Sequence, residues 1–367
     1  MQKKKSAVLD IGSSKITVAL GERGVNRTFL IKARKEIEYD GYSEGEFLSP
    51  ESLNRALYTA REFIFASQKD IDTIYVGVPG GFTEVIVKDS QISFPKKKKI
   101  TEEDVDFLFD AAFVLPSAKY TLINRSAVVY ELDDYRRLAN PVGHQSVILK
   151  GKLSFILCAN YFIDKVKPVL EGGEDIEVEF VSSSLAEVMF LLDTETRDKT
   201  AMLVDVGYIS TCFTLVQGDG ILFQTAFDYG GGYLTAVIAE RFELDFSDAE
   251  RLKRKINLTK AETGAYSLIE MDGNYFPEDE LITLMKNSLD VLCENISNAM
   301  ETSGYAIPEY VPIMITGGGI AYLRGAKEHV SSRVGAITEV IAPDVPLMNK
   351  PTESSILSLL DLVFEQN

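Results

Sequence analysis

The sequence predicts an α/β protein of two lobes, each built on one copy of a duplicated β-unit, with an α+β unit inserted into the first lobe. Three observations predict it. A strand that ends in Asp-x-Gly and returns through Ser or Thr into a second strand occurs twice, at Asp10-Ile11-Gly12-Ser13-Ser14 and at Asp205-Val206-Gly207 with Ser210-Thr211, and a unit repeated in one chain reads most simply as a duplication. β-branched strands alternate with helices of amphipathic spacing in both halves, the pattern of sheets covered by helices. Between about residues 82 and 163 short strands surround one helix instead. The expected boundaries are 1–81 and 164–200 for the first lobe, 82–163 for the insert and 201–367 for the second lobe, which holds a smaller subdomain at about 243–303.

Taken in order, Ala7 to Ile11 is a strand, Gly12-Ser13-Ser14 a turn and Ile16 to Leu20 the returning strand. Ser49-Pro50-Glu51 starts a helix, because Ser caps free amides and Pro suits the first turn; Leu53, Leu57, Ala60 and Ile64 form its buried face. Thr73 to Val78 is a strand stopped by Pro79-Gly80-Gly81. In the insert, short strands are expected at 84–87 and 91–94, a capping box at Thr101-Glu102-Glu103-Asp104, and strands at 126–132 and 153–159 around the turn Asn140-Pro141-Val142-Gly143. A helix at 162–170, a strand at 178–181 and a helix at 185–192 lead to the second copy, with strands at 201–206, 211–216 and 221–226 around the hairpin turn Gly218-Asp219-Gly220. Helices follow at 234–242 and 247–255, then a long one at 278–302 with the stripe Leu281, Leu284, Met285, Leu289, Leu292, Ile296 and Met300. Val311 to Thr316 is a strand entering Gly317-Gly318-Gly319, and the final helix, about 352–364, packs toward the first lobe.

Composition narrows the function classes. The 367 residues are 46% hydrophobic and 25% charged, and 38 Lys+Arg against 55 Asp+Glu leave a formal charge of −17, which disfavours nucleic acid and anionic lipid as partners. Lys96-Lys97-Lys98-Lys99 reads as a solvated loop at a sheet edge. His144 and His329 stand far apart, so neither a His metal centre nor a His relay is expected. Cys158, Cys212 and Cys293 lie in apolar stretches and read as buried free thiols of a reducing compartment. No apolar run reaches twenty residues, and Met1 to Lys5 lead into too short an apolar segment for secretion; a cytoplasmic protein is expected.

The two Asp-x-Gly turns are where chemistry is expected. A tight turn leaves amides unpaired, Gly12 permits close approach, and Ser13, Ser14 and Lys15 add donors and a charge, so the turn suits phosphate oxygens. Asp10 at a strand end suits hydrated Mg²⁺, which takes carboxylate plus water, and Asp205 stands in the same place in the second copy. Gly317-Gly318-Gly319 offers bare backbone for a flat base, and Gly230-Gly231-Gly232 before a helix aims an amino terminus at phosphate.

These segments, together with Gly231 and Leu234-Thr235, Ala249-Glu250-Arg251-Leu252-Lys253 and Ile315-Thr316-Gly317-Gly318-Gly319, resemble the actin-like (ribonuclease H-like) ATPase superfamily. Lys99 to Val105 and Asn140 to Gly143 resemble the inserted 1C (SHS2-like) subdomain of the bacterial cell-division family FtsA. The resemblance implies ATP and Mg²⁺ as ligands. It assigns Asp10, Gly12, Ser13, Ser14 and Lys15 to a first phosphate loop, and Asp205, Gly207, Ser210 and Thr211 to a second, with Asp10 and Asp205 reaching Mg²⁺ through water and Asp205 as catalytic carboxylate. Gly231, Glu250, Lys253, Gly317, Gly318 and Gly319 would line the ribose and base pocket.

Departures from that pattern are expected to slow or abolish hydrolysis. Tyr208 and Ile209 replace glycines of the second loop, Cys212 stands where Asp is frequent, and Ser182-Ser183-Ser184 stand where the family presents a Pro and a Glu or Gln, the latter orienting the attacking water, with Glu187 one turn on. The implied role is a nucleotide-switched, self-assembling division scaffold, with the tail peptide of the tubulin-like FtsZ received at Arg251, Lys253, Arg254 and Lys255. The chain ends at Glu365-Gln366-Asn367 with Asp361 and Glu365 on its last helix, so membrane association is not expected from that end. A pilus adaptor similar to PilM, or a small-molecule kinase of the same superfamily, is the alternative.

Overall fold

The computed structural model describes residues 6–23, 29–173, 176–260 and 267–366; Met1 to Lys5 and Asn367, weighed above for targeting and for the chain's end, lie outside the described residues. The first sheet begins as an antiparallel meander of β1 (Ser6–Ile11), β2 (Lys15–Arg23) and β3 (Phe29–Glu38). A small pair, β4 (Tyr42–Ser43) and β5 (Glu46–Phe47), leads to α1 (Pro50–Ser67). Ser49 accepts the Ser52 amide at the start of α1, and Leu53, Ala56, Leu57, Ala60 and Ile64 are its buried face. β6 (Thr73–Val78) then runs parallel to β1.

The insert folds as β7 (Thr83–Lys99), α2 (Glu102–Ala112), β8 (Tyr120–Leu132), β9 (Arg137–Leu138) and β10 (Gln145–Ala159), in the sheet order β7-β10-β8-β9. Two short strands and a lysine loop were expected where one 17-residue strand runs through Lys99. The reason is tertiary: β10 is long enough to pair with it from Cys158 opposite Thr83 to Gln145 opposite Lys99. An edge position also tolerates Pro95. Thr101 and Asp104 form the capping box of α2.

The chain returns through α3 (Asn160–Glu171), β11 (Glu177–Ser182), α4 (Ser183–Leu191) and the short α5 (Thr194–Asp198). The second lobe follows with β12 (Ala201–Val206), β13 (Thr211–Gln217), β14 (Gly220–Phe227), α6 (Gly231–Phe242) and α7 (Phe246–Lys253). Next come the pair β15 (Leu268–Met271) and β16 (Asn274–Pro277), α8 (Glu278–Thr302), β17 (Ile313–Thr316), α9 (Ala326–Val334), β18 (Thr338–Val340) and α10 (Ser354–Gln366). The duplication is visible in the topology. The first sheet reads β3-β2-β1-β6-β11 and the second β14-β13-β12-β17-β18, each an antiparallel meander followed by two strands parallel to its first.

Each lobe has its own core, and α10 packs Ile356, Leu357, Leu359, Leu360 and Val363 against Val8, Ala19 and Tyr75 of the first sheet and Ala186 of α4. The insert is also fixed to the second lobe. Val128 of β8 is part of the second lobe's core, Ser154 Oγ donates to the Ile221 carbonyl at 2.7 Å and Gln224 Nε2 to Thr83 Oγ1 at 2.6 Å. Gly218 has φ +57°, and a Cβ there would lie 2.1 Å from the Val128 carbonyl oxygen, so that turn needs glycine twice over. Val128→Asp, which buries a charge at this seam, is expected to lower unfolding stability by about 2–4 kcal/mol in urea titrations.

Candidate functional site

The same turn closes each copy of the β-unit. Gly12 N donates to Lys15 O, and Gly207 N to Ser210 O, both at 3.0 Å. A Cβ at Gly207 would stand 2.7 Å from Ser210 O, which is why a side chain is excluded there. The two turns meet across the lobes, where Ser13 Oγ accepts the amides of Ile209 (3.0 Å) and Ser210 (3.4 Å). Behind the second turn, Gly231 approaches Gly319 so closely that a Cβ on Gly231 would be 2.5 Å from Gly319 Cα, and Gly317 holds φ +86°. These segments enclose a cavity of about 470 Å³ lined by Asp10, Gly12 to Lys15, Glu187, Asp205, Gly207, Tyr208, Ser210, Gly231, Glu250, Lys253, Gly317 to Gly319 and the start of α10.

Three carboxylates share the inner part of this cavity. Burial raises Asp10 above its ordinary pKa, while a hydrogen bond from Ser355 and the charges of Lys15 and Arg34 oppose the rise. Asp205 is pushed up to about 7 by burial and by the Asp10 charge. Glu187 on α4 is 3% exposed, its Oε1 has no hydrogen-bond partner, and burial followed by the charges of Asp205 and Asp10 raises it well above the usual range. Ser183 Oγ, one turn earlier, is likewise buried without a partner. Among the described residues no three His, Cys, Asp or Glu side chains converge to ligate a metal directly.

Comparison with known proteins places this geometry. The sequence model of the family described as type IV pilus assembly protein PilM matches residues 172–265. Among curated proteins, the cell-division protein FtsA of Escherichia coli K12 is 22% identical over 67% of this chain and 59% of its own length; the chain thus spans about three fifths of that relative. Among solved structures, the PilM–PilN type IV pilus biogenesis complex superposes with a TM-score of 0.64 at 17% identity over 98% of both chains. MreB5 of Spiroplasma citri bound to AMPPNP superposes with 0.57 at 11% identity over 100% of this chain and 97% of that one. The chain has the actin-like ATPase fold. It is a divergent chain, similar to both FtsA and PilM.

Set in the actin-like frame, most residues named from the sequence meet at the interlobe cleft, and several behave differently there. Thr211 is fully buried and donates to Tyr229 O at 2.6 Å, so its hydroxyl does not face the cavity. The start of α6 is not an open anion site: Gly231 N and Gly232 N donate to Gly207 O and Tyr208 O at 2.9 and 2.7 Å, clamping the second turn. Lys15 Nζ reaches Glu36 at 2.7 Å. Cys212 Sγ lies 3.4 Å from Ser184 Oγ, and burial pushes its thiol up to about 12, leaving it unreactive.

The basic cluster on α7 also divides. Lys253 is 7% exposed and its ammonium is used internally by Gly231 O (2.9 Å), Thr235 Oγ1 (2.8 Å) and Glu250 (2.7 Å), so it is not available to a peptide. Burial pulls Lys253 below its ordinary pKa against the help of Glu250. Glu250 stays ionised below the usual range, because bonds from Lys253 and Thr235 outweigh its burial. Arg251 pairs with Asp248 and Asp272, Arg254 pairs with Glu250 and lies over the Tyr322 ring, and Lys255 donates to Glu270 O. Ser355 and Thr352 escaped the sequence reading, since nothing in their spacing ties them to residue 10; Glu187 carried one legible signal, an acidic residue amid an apolar helix.

Proposed function

We propose that this chain binds ATP with Mg²⁺ in the interlobe cleft and acts as a nucleotide-switched scaffold that assembles with copies of itself and recruits bacterial division proteins, with slow hydrolysis. The observation that carries the reading is the pairing of two Asp-x-Gly turns closed by the same backbone hydrogen bond, one from each copy of the β-unit, across one cavity with the Gly317-Gly318-Gly319 turn. The residues fit the ligand. Burial and the Asp10 charge raise Asp205, and burial with the charges of Asp205 and Asp10 raises Glu187, an arrangement that a hydrated divalent cation relieves, and the glycine turns leave backbone for phosphates and a base. Bound Mg²⁺ would neutralise phosphate charge. Asp10 and Asp205 would hold its water ligands, Glu250 would face the ribose hydroxyls and the Lys253 stem would cover one side of the base.

Support for the division role comes from the likeness to FtsA, and support for nucleotide from the AMPPNP-bound MreB5 of the same fold. An FtsZ-type acidic tail would dock on Arg251, Arg254 and Lys255 by displacing their present partners. Among the described residues no helix is long and apolar enough to cross a membrane; a partner would bring the protein to the division site. Calorimetry with Mg·ATP tests the core of the reading. Binding is expected in the parent, and Asp10→Ala should weaken it at least tenfold; no heat from the parent overturns it.

A pilus adaptor is the second reading, favoured by the PilM family match at 172–265 and the full-length superposition on PilM. Capture of an FtsZ tail peptide, against capture of PilN, separates the two.

A further inference from the structure

The 3₁₀ turn Pro351–Glu353 and the first turn of α10 form a third wall of the cleft that neither copy of the Asp-x-Gly unit supplies. Pro351, Thr352, Ser355 and Ile356 line the cavity, and Ser355 Oγ donates a 2.7 Å hydrogen bond to Oδ1 of Asp10. No other hydrogen bond reaches that carboxylate among the described residues. The hydroxyl is held in place from both lobes. Ser354 Oγ and Thr316 Oγ1 at the end of β17 are 2.6 Å apart, and Glu353 pairs with Arg34 of β3. Behind this turn, Ile356, Leu357, Leu359 and Leu360 are at most 2% exposed against the first sheet. A carboxylate beside two others has every electrostatic reason to rotate toward Lys15 or Arg34; a fixed donor on one oxygen prevents it and leaves the second oxygen to water.

We propose that Ser355 is the positioning residue of Asp10. It fixes the carboxylate for a hydrated cation, and α10 thereby registers whether the cleft is loaded. The inference rests on the nucleotide reading above and adds to it a residue that lies 345 positions from Asp10 and is joined at its neighbour to the other lobe. Because α10 stays packed on the first sheet, opening of the lobes would break the Ser354–Thr316 contact beside Ser355 and loosen the seat of its hydroxyl on Asp10, so cation binding and lobe closure favour each other.

The test uses the full chain, ATP as probe and Mg²⁺ as the variable. In Ser355→Ala, the Mg²⁺ concentration that half-saturates ATP binding should rise about ten- to hundredfold, the scale of a lost hydrogen bond to a charged group. Affinity for ATP in EDTA should stay at the parental value, and Ser355→Thr should restore the parental Mg²⁺ dependence. Amide hydrogen exchange over 356–364 should slow on Mg·ATP addition in the parent and not in Ser355→Ala. Ser358→Ala, whose hydroxyl bonds only to Ser354 O at 2.7 Å, reports helix packing and should behave as the parent. A parental Mg²⁺ dependence in Ser355→Ala overturns the role of Ser355 alone. So does a loss of equal size in EDTA, or an equal loss in Ser358→Ala. Absence of ATP binding by the parent overturns the nucleotide reading, and this inference with it.

Discussion

Asp205→Asn is expected to take up Mg·ATP about a hundredfold more weakly than the parent and yet to melt at a higher temperature in the absence of nucleotide above pH 7. The two effects have one cause. Burial and the neighbouring Asp10 charge push Asp205 up to about 7 from an ordinary 3.8. Below about pH 4 the folded and unfolded chains both carry the proton and the group contributes no penalty. Between about pH 4 and 7 the unfolded chain has lost it while the folded chain still binds it, so stability falls as pH rises, and above about 7 the penalty is fully present. An amide removes that penalty and is expected to add about 1–3 kcal/mol at pH 8 and little at pH 4. It also removes the charge that a hydrated cation needs. Saturating Mg·ATP stabilises the parent by mass action, so the order of melting temperatures should reverse when ligand is added. Thermal melts of both proteins at pH 5 and pH 8, with and without Mg·ATP, check all eight values. A variant less stable than the parent at pH 8 without ligand contradicts the electrostatic account.

The meander and its turn were legible because the features that make them are local. An apolar strand, a carboxylate, a glycine where a Cβ would strike Ser210 O or crowd Lys15 O, and a hydroxyl residue recur within a few positions in each copy. β7 was misread for the opposite reason. Asp89, Ser90, Pro95 and five lysines weaken its intrinsic strand preference, and only pairing with β10 along its length makes it one strand. On α7 the signal was available and pointed inward: Ala249, Leu252 and Lys253 share the buried face, three and four residues apart, so the spacing that seats Leu252 in the core also seats Lys253 against Glu250. The Thr211 hydroxyl and the α6 amides differ again. Their partners are backbone carbonyls of neighbouring turns, Tyr229 O, Gly207 O and Tyr208 O, and no residue type announces a backbone acceptor. Ser355 lay out of reach because only closure of α10 across both lobes brings it to Asp10.

Glu187→Gln is expected to bind Mg·ATP within a few-fold of the parent while its turnover falls by about 10²–10³, the usual contribution of a positioned proton acceptor. Ser182 to Ser184 offer hydroxyls where relatives carry an acid or amide, and Ser182 spends its own on the Leu185 amide as the cap of α4. That leaves Glu187 as the acidic side chain of α4 that enters the cavity, with one carboxylate oxygen unpartnered. A buried carboxyl without a partner is costly to keep, and a water held there would donate a hydrogen bond to the ionised carboxylate and give up that proton to it as the terminal phosphoryl bond breaks. The pKa direction explains why the reaction should be slow. Burial, then Asp205 and Asp10, keep Glu187 protonated well above the usual carboxylate range, so the base is largely unavailable until a cation offsets the two aspartates. Turnover should therefore rise with pH along a limb displaced upward from that of an ordinary carboxylate, and the Gln variant should show no such limb. Steady-state phosphate release from pH 6 to 9, beside calorimetric affinities at each pH, separates turnover from binding. A Gln variant that releases phosphate at the parental rate removes Glu187 from the mechanism and leaves the cleft a binding site alone.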